Sequence, residues 1–299
     1  MEIGFLTACL GDMPLEEAVK WAAKSGFQRL EVPAPQPVGR RKKTGPVLDV
    51  SNMTRKSAEM AMRTFDQNGV KISCLATYTN NLDQDLTKRK ARIAQLKKAI
   101  DAAALMGVDV VGTFVGRDAR KTIEQNLAEF KKVFKPIADY AERRGVYVAI
   151  ENCPMVGWQA EGLVGNIAYS PEVWERMFEL VPSECMGLNL DPSHLYWLGC
   201  DIIETVKDFA DRIHHVHAKD TEIIEEKLSS AGVLGNGWWR YRMPGLGEIE
   251  WGPFINALSE VGFDGTLSIE HEDPVWEGSE AKVKRGLVFA RKHLVQFIV

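Results

Sequence analysis

Four short stretches of the chain end on side chains that hold hard cations or move protons. Glu151 ends VYVAIE, Asp191 ends MGLNLD ahead of PSH, His217 follows RIHHV, and Glu270 ends TLSIE. Carboxylates gathered at one point repel, and burial makes the repulsion worse; a divalent cation relieves both costs. Three carboxylates and one imidazole form an oxygen-rich set that suits Mn²⁺ best. Mg²⁺ and Co²⁺ also fit, whereas Zn²⁺ more typically recruits another histidine or a thiolate. Each residue alone has a plainer explanation: Asp191 before Pro192 is a common turn residue, and His217 a common core histidine. Their recurrence at equivalent positions in four consecutive runs favours a ligand set.

The elements that would position them repeat one grammar. SGFQRLEV, NGVKISCL, MGVDVVGTF, RGVYVAIE and VGFDGTLSIE each carry a glycine, then Phe or Val, then a short β-branched or apolar run. Glycine just past a helix end is the usual left-handed cap, and the apolar run reads as a strand buried on both faces. Helical periodicity precedes the glycine, as in Leu127, Phe130, Phe134, Ile137 and Ala141. The pattern predicts strands at 2–6, 27–32, 70–75, 108–113, 146–151, 186–191, 213–217 and 265–270. Helices are predicted at 14–24, 51–68, 86–106, 118–144, 170–180, 201–210, 251–261 and 278–297. Strict strand–helix alternation implies a parallel sheet. For 299 residues the economical α/β fold is a single (β/α)8 TIM barrel, typically ~250 residues, with residues 1–299 as one domain. An open doubly wound sheet is disfavoured because no GxGxxG follows the first strand. Extended loops follow the second strand (33–50, with Arg40, Arg41, Lys42 and Lys43) and the seventh (218–247, with GNGWWRYRMPGLG). Both would lie on the catalytic face.

Composition narrows the class. The chain has 37 basic and 41 acidic residues, a net charge of -4, 45% hydrophobic and 26% charged residues. That gives no basic footprint for nucleic acid, and no apolar run is long enough for a membrane span. The start MEIGFLTACLGDMPLEEAV lacks the features of a signal peptide. Cys9, Cys74, Cys153, Cys185 and Cys200 form no CxxC pair, which suits reduced thiols and a cytoplasmic location.

VAIEN, LNLDPSH, HVHAKD, PGLGEIEW and GFDGTLSIEHE, in that order, resemble the landmarks of the xylose isomerase-like TIM-barrel superfamily of sugar (phosphate) isomerases and epimerases. The branch they are most similar to is the tagatose 3-epimerase and inositol-catabolism type. The resemblance spans essentially the whole chain. It implies that Glu151, Asp191, His217 and Glu270 are metal ligands and that His194 contacts substrate. It also implies a small carbohydrate substrate, and many members form homo-oligomers. Endonuclease-type members draw extra histidine ligands from earlier strands. Here LEVPAP, CLATYT and VGTFVG contain none, so the nuclease reading is set aside.

The implied reaction is proton transfer beside the carbonyl of a keto-sugar or derivative, through an enediolate stabilised by the metal. Glu151 and Glu270, two strands apart, would act as base and acid on opposite faces of one carbon, giving epimerisation. A single carboxylate carrying the proton between adjacent carbons would instead give aldose–ketose isomerisation. The alternative is a lyase or dehydratase acting on a keto-sugar or keto-glycoside at the same metal site, in which a β-leaving group departs instead. A sugar-binding protein on a retired barrel is the non-enzymatic alternative. His194 and Lys219 are assigned to substrate oxygens and to the developing negative charge, a Lys219–Asp220 pair being the competing explanation. Arg240 and Arg242 are candidates for gripping substrate oxygens, and Trp158, Trp197, Trp238 and Trp239 for stacking on a sugar ring. By strand alternation Asn189 shares a side with Asp191, and His215 with His217, as partners that orient the ligands or as polar filling.

Overall fold

Buried runs of alternating parity build the sheet. In a computed structural model that describes residues 1–35, 45–158 and 163–299, eight parallel strands close into a barrel. They are β1 (Glu2–Leu6), β2 (Arg29–Pro33), β3 (Lys71–Thr77), β4 (Val110–Thr113), β5 (Tyr147–Glu151), β6 (Met186–Leu190), β7 (Ile213–Ala218) and, eighth in the barrel, β10 (Thr266–Ile269). The order is β1-β10-β7-β6-β5-β4-β3-β2, and β1 pairs with both β2 and β10 to shut the cylinder. The (β/α)8 expectation therefore holds, with strand ends within about two residues of those predicted.

Outward-facing residues such as Leu30, Leu75, Val111, Val148, Leu188 and Val216 are fully buried beneath the helices. Several helices start where side chains can satisfy free N–H groups. Asp85 accepts from Thr87 and Lys88 N–H to open α3 (Leu86–Met106), and Thr122 with Gln125 forms a capping box on α4 (Ile123–Glu142). The glycine joints behave as read: Gly69 and Gly107 cap their helices at φ 64° and 67°, where a Cβ would be strained.

The interior is polar. Successive residues of a strand point to opposite faces, so Glu151, Asn189, His215, His217 and Ser268 all face inward, with Glu31 of β2 opposite them. Small residues leave room: a Cβ on Gly112 would come within 2.7 Å of the Tyr78 hydroxyl.

Four elements were not expected. The loop after β7 folds into an antiparallel hairpin of β8 (Asp220–Ile223) and β9 (Trp239–Arg242), with α8 (Glu225–Ala231) between them. A short helix, α6 (Pro192–Leu198), begins directly after β6, with Pro192 in its first turn, where a missing N–H costs nothing. The Arg40–Lys43 run lies outside the described residues. Among the described residues no helix is long and apolar enough to cross a membrane.

Candidate metal centre

The four strand-end residues converge. Glu151 is the last residue of β5, Asp191 follows β6, His217 is next to last in β7, and Glu270 follows β10. One ligand atom from each lies within 4.8 Å of the others. His217 Nδ1 is 3.1 Å from Glu270 Oε2 and 3.7 Å from Glu151 Oε1. Asp191 serves two ends. Its Oδ1 accepts from Ser193 N–H at 2.8 Å and caps α6, while Oδ2 lies 3.2 Å from His194 Nε2 and 3.1 Å from Lys219 Nζ. The turn role falls to one oxygen of the carboxylate, and the other faces the cluster.

Behind these four side chains lies a hydrogen-bonded layer. His217 Nε2 meets Glu31 Oε2 at 2.9 Å, and that carboxylate also accepts from Tyr78 Oη at 2.5 Å and Ser268 Oγ at 2.8 Å. Asn189 donates to Tyr78 Oη at 2.7 Å and accepts from His215 Nδ1 at 3.0 Å. Ser73 closes the chain at His215 Nε2, 3.1 Å away. Asn189 and His215 therefore share the inner face, as strand parity suggested, and bond to Tyr78, Ser73 and each other. Burial alone would raise the Glu31 pKa, but His217 and the Tyr78 hydroxyl bring it down to about 2. An anionic Glu31 beside Nε2 favours a proton on that nitrogen and leaves Nδ1 turned to Glu151, Asp191 and Glu270.

Three buried atoms here make no hydrogen bond: Asp191 Oδ2, His194 Nε2 and His217 Nδ1. Buried polar atoms in folded proteins are nearly always paired. Unsatisfied lone pairs facing one another among carboxylates fit a cation. Burial disfavours a charged His217, yet Glu31, Glu270 and Glu151 push its pKa well above the ordinary histidine value. A proton on the imidazole supplies positive charge among the carboxylates, and an ion held at Nδ1 would displace it.

Lys219 is 1% exposed, with Nζ 2.6 Å from Glu270, 3.0 Å from Glu272 and 3.1 Å from Asp191. Asp220 does not pair with it. That carboxylate accepts instead from Gly245 and Ile249 N–H and from Trp251 Nε1, anchoring the hairpin. His194 is fully buried on α6, its Nδ1 2.9 Å from Tyr241 Oη. Trp197, on the same helix, stacks on Trp239 at 4.5 Å, and Trp239 lies against Tyr241 at 4.8 Å, so aromatic rings run outward from His194.

The two candidate arginines are held in ion pairs. The hairpin register sets Glu222 opposite Arg240, and Arg240 grips that carboxylate through two 2.9 Å bonds. Arg242 pairs with Glu222 and with Asp273. The side chain of Trp158 lies outside what is described. Sequence reasoning overlooked Glu31, Tyr78 and Tyr241. The one available signal was a lone carboxylate between Leu30 and Val32 in an otherwise apolar run.

The sequence profile described as Xylose isomerase-like TIM barrel matches residues 19–293. An inosose dehydratase from Clostridium perfringens is 29% identical over 118 residues, which is 37% of this chain and 39% of the relative. A crystal structure of IOLI protein with a binding zinc atom superposes with a TM-score of 0.73 at 20% identity, covering 100% of this chain and 98% of that one. D-psicose 3-epimerase with D-tagatose from Clostridium cellulolyticum H10 gives a TM-score of 0.74 at 16% identity over 100% and 99% of the two chains.

Proposed function

The chain belongs to the xylose isomerase-like TIM-barrel family, and from that premise we propose that it is a divalent-metal-dependent carbohydrate isomerase or epimerase. Its substrate in this reading is a small keto-sugar or derivative, and its reaction is proton transfer beside the carbonyl. The observation that carries the reading is the convergence of Glu151 and Glu270 on His217 Nδ1, at 3.7 and 3.1 Å. A divalent ion held by Glu151, Asp191, His217 and Glu270 supplies Lewis-acid polarisation of a ketone oxygen and its neighbouring hydroxyl. The oxygen-rich donor set favours Mn²⁺, with Mg²⁺ or Co²⁺ next. The zinc of the IOLI structure keeps Zn²⁺ within range.

The side chains perform the proton transfer. One carboxylate, Glu151 or Glu270, removes a proton from a carbon between them, and the other returns one to the opposite face. Lys219, 2.6 Å from Glu270, stays protonated. Burial disfavours its charge, but Asp191, Glu270 and Glu272 raise its pKa well above the ordinary lysine value. It balances the negative charge left on the substrate. His194 donates to a substrate oxygen, its ring set by Tyr241. We place the reaction in the cytoplasm, where the chain's free cysteines stay reduced.

A second reading, dehydration or lyase chemistry on a keto-sugar or keto-glycoside, is favoured by the inosose dehydratase match. Both begin with the same proton abstraction and differ in whether a β-leaving group departs. The Mn²⁺-loaded protein is incubated in D₂O with a panel of ketoses and oxidised glycosides and followed by NMR. Deuterium beside the carbonyl together with a new stereoisomer supports epimerisation. Exchange with loss of the leaving group supports the lyase, and no exchange on any substrate rejects both.

A further inference from the structure

We propose that a cavity above β3 and β4, anchored by Arg117, binds a phosphate group at the far end of the substrate, which makes that substrate a keto-sugar phosphate. The inference rests on the isomerase or epimerase reading and deepens it by naming what holds the non-reacting end.

The cavity has a volume of about 490 Å³, and its walls include Tyr78, Asn80, Asp83, Lys88, Arg92 and Arg117. These residues follow the C-terminal ends of β3 and β4, the end of a barrel where substrates bind. In the ring of strands β3 stands across from β7, and β4 across from β10. A sugar whose reacting carbon lies at His217 and Glu270 can therefore extend its other end across the mouth to this cavity. Tyr78 links the two places, since its hydroxyl stands 3.3 Å from His217 Nε2.

Charge selects the ligand. Three cations, Lys88, Arg92 and Arg117, share the cavity with one carboxylate, Asp83, which pairs with Arg92 at 2.6 Å. The two positive charges left over match a phosphate monoester, which carries about −1.5 to −2 at pH 7. Arg117 forms no ion pair among the described residues, and the adjacent Asp118 is taken by Arg120 at 3.0 Å. Arg117 Nε is buried without a hydrogen-bond partner, a state that buried polar atoms rarely keep. A phosphate oxygen would satisfy it, and the planar guanidinium fork suits two such oxygens at once.

The fold holds this arginine in place. Asn80 Oδ1 accepts from Arg117 N–H at 2.9 Å, and Asn80 Nδ2 donates to the Arg117 carbonyl at 2.9 Å. The Asn80 carbonyl also accepts from Arg92 Nη1 at 3.0 Å. So close an approach needs glycine before Arg117. Gly116 has φ 81°, and a Cβ there would clash with Asn80 Oδ1. One buried asparagine thus ties both arginines to the same cavity.

The test has two arms. Metal-free protein is titrated calorimetrically with inorganic phosphate at low salt. One phosphate per chain is expected, weakened by roughly 10–100-fold in R117Q, the loss of a charge-assisted hydrogen bond. K88Q should weaken it in the same direction; Lys88 is exposed, so this variant guards against a misfolded R117Q. In the second arm, Mn²⁺-loaded protein is assayed by exchange in D₂O on keto-sugars in neutral, terminally phosphorylated and terminally carboxylated forms. The phosphate should have the highest kcat/KM, and R117Q should shrink its advantage over the neutral form. No bound phosphate, or the same affinity in the parent and both variants, overturns the subsite whatever the protein turns over. A higher kcat/KM for the neutral or carboxylated form also overturns it. Phosphate bound as expected, with no exchange on any sugar, overturns the isomerase and epimerase reading and leaves the anion site standing.

Discussion

Glu31 and His217, 186 residues apart in the chain, meet at 2.9 Å inside the barrel. The carboxylate contacts the ring nitrogen that faces away from Glu151 and Glu270, and in the proposed centre it would decide which nitrogen is free to bind an ion. Replacing it with glutamine keeps the shape but removes the anion. Partners of this kind typically contribute about 10–100-fold to metal affinity, and a loss in that range is expected for E31Q by competition with a fluorescent chelator. Unchanged affinity would show that Asn189 and Tyr78 alone can orient the ring.

Glu270 should be indispensable to proton transfer while being replaceable as a ligand. In E270Q the amide oxygen still faces the centre but cannot accept a proton. Turnover is expected to fall by about 10²–10⁴-fold, the usual contribution of a general acid or base, when assayed at saturating metal. Undiminished solvent deuterium exchange in E270Q would remove Glu270 from that role.

Lys219 compensates Asp191, Glu270 and Glu272 at once. K219M leaves buried carboxylates without their partner, a change that costs about 3–5 kcal/mol for a broken buried pair. The loss should be largest in metal-free protein and smaller with Mn²⁺ present, because the ion compensates the same charges. Urea unfolding with and without metal checks this; equal losses in both states would mean that no ion shares those carboxylates.

Stability should rise with pH across the acidic range through the neighbours His214 and His215. Burial, assisted by Arg212 and opposed by a hydrogen bond to the Glu184 carbonyl, brings His214 down from 6.5 to about 4. Burial, with Glu31 opposing and His217 assisting, does the same for His215. A histidine held neutral binds fewer protons folded than unfolded. Its contribution is complete above pH 6.5 and is lost as pH falls toward 4. The urea midpoint of H214Q should accordingly depend less on pH between these limits than that of the parent; parallel curves would exclude His214 as a source of the dependence.

Much of the centre was legible because barrel geometry turns a linear pattern into a convergent one. A polar residue closing each of four successive apolar runs has one place to go once the strands are parallel and closed. Asn189 and His215 followed from parity, which needs only the two-residue period of a strand. Glu31 did not, because it sits inside its strand rather than at the end, and only closure of β2 against β1 sets it opposite His217. The tryptophans of the GNGWWRYRMPGLG segment gave no sign of which rings would stack.

By itself, the sequence determined the periodicities: strand–helix alternation, glycine joints and the acidic or imidazole ends of β5, β6, β7 and β10. These are local properties, governed by backbone sterics and the burial of apolar faces. Tertiary structure alone decided which charges meet. Arg240 and Arg242 look free along the chain but are taken by Glu222 and Asp273 once the hairpin register forms. Lys219 turns from adjacent Asp220 to carboxylates up to 53 residues away. Side-chain interactions act over a few ångström through space, and only the closed fold specifies those distances.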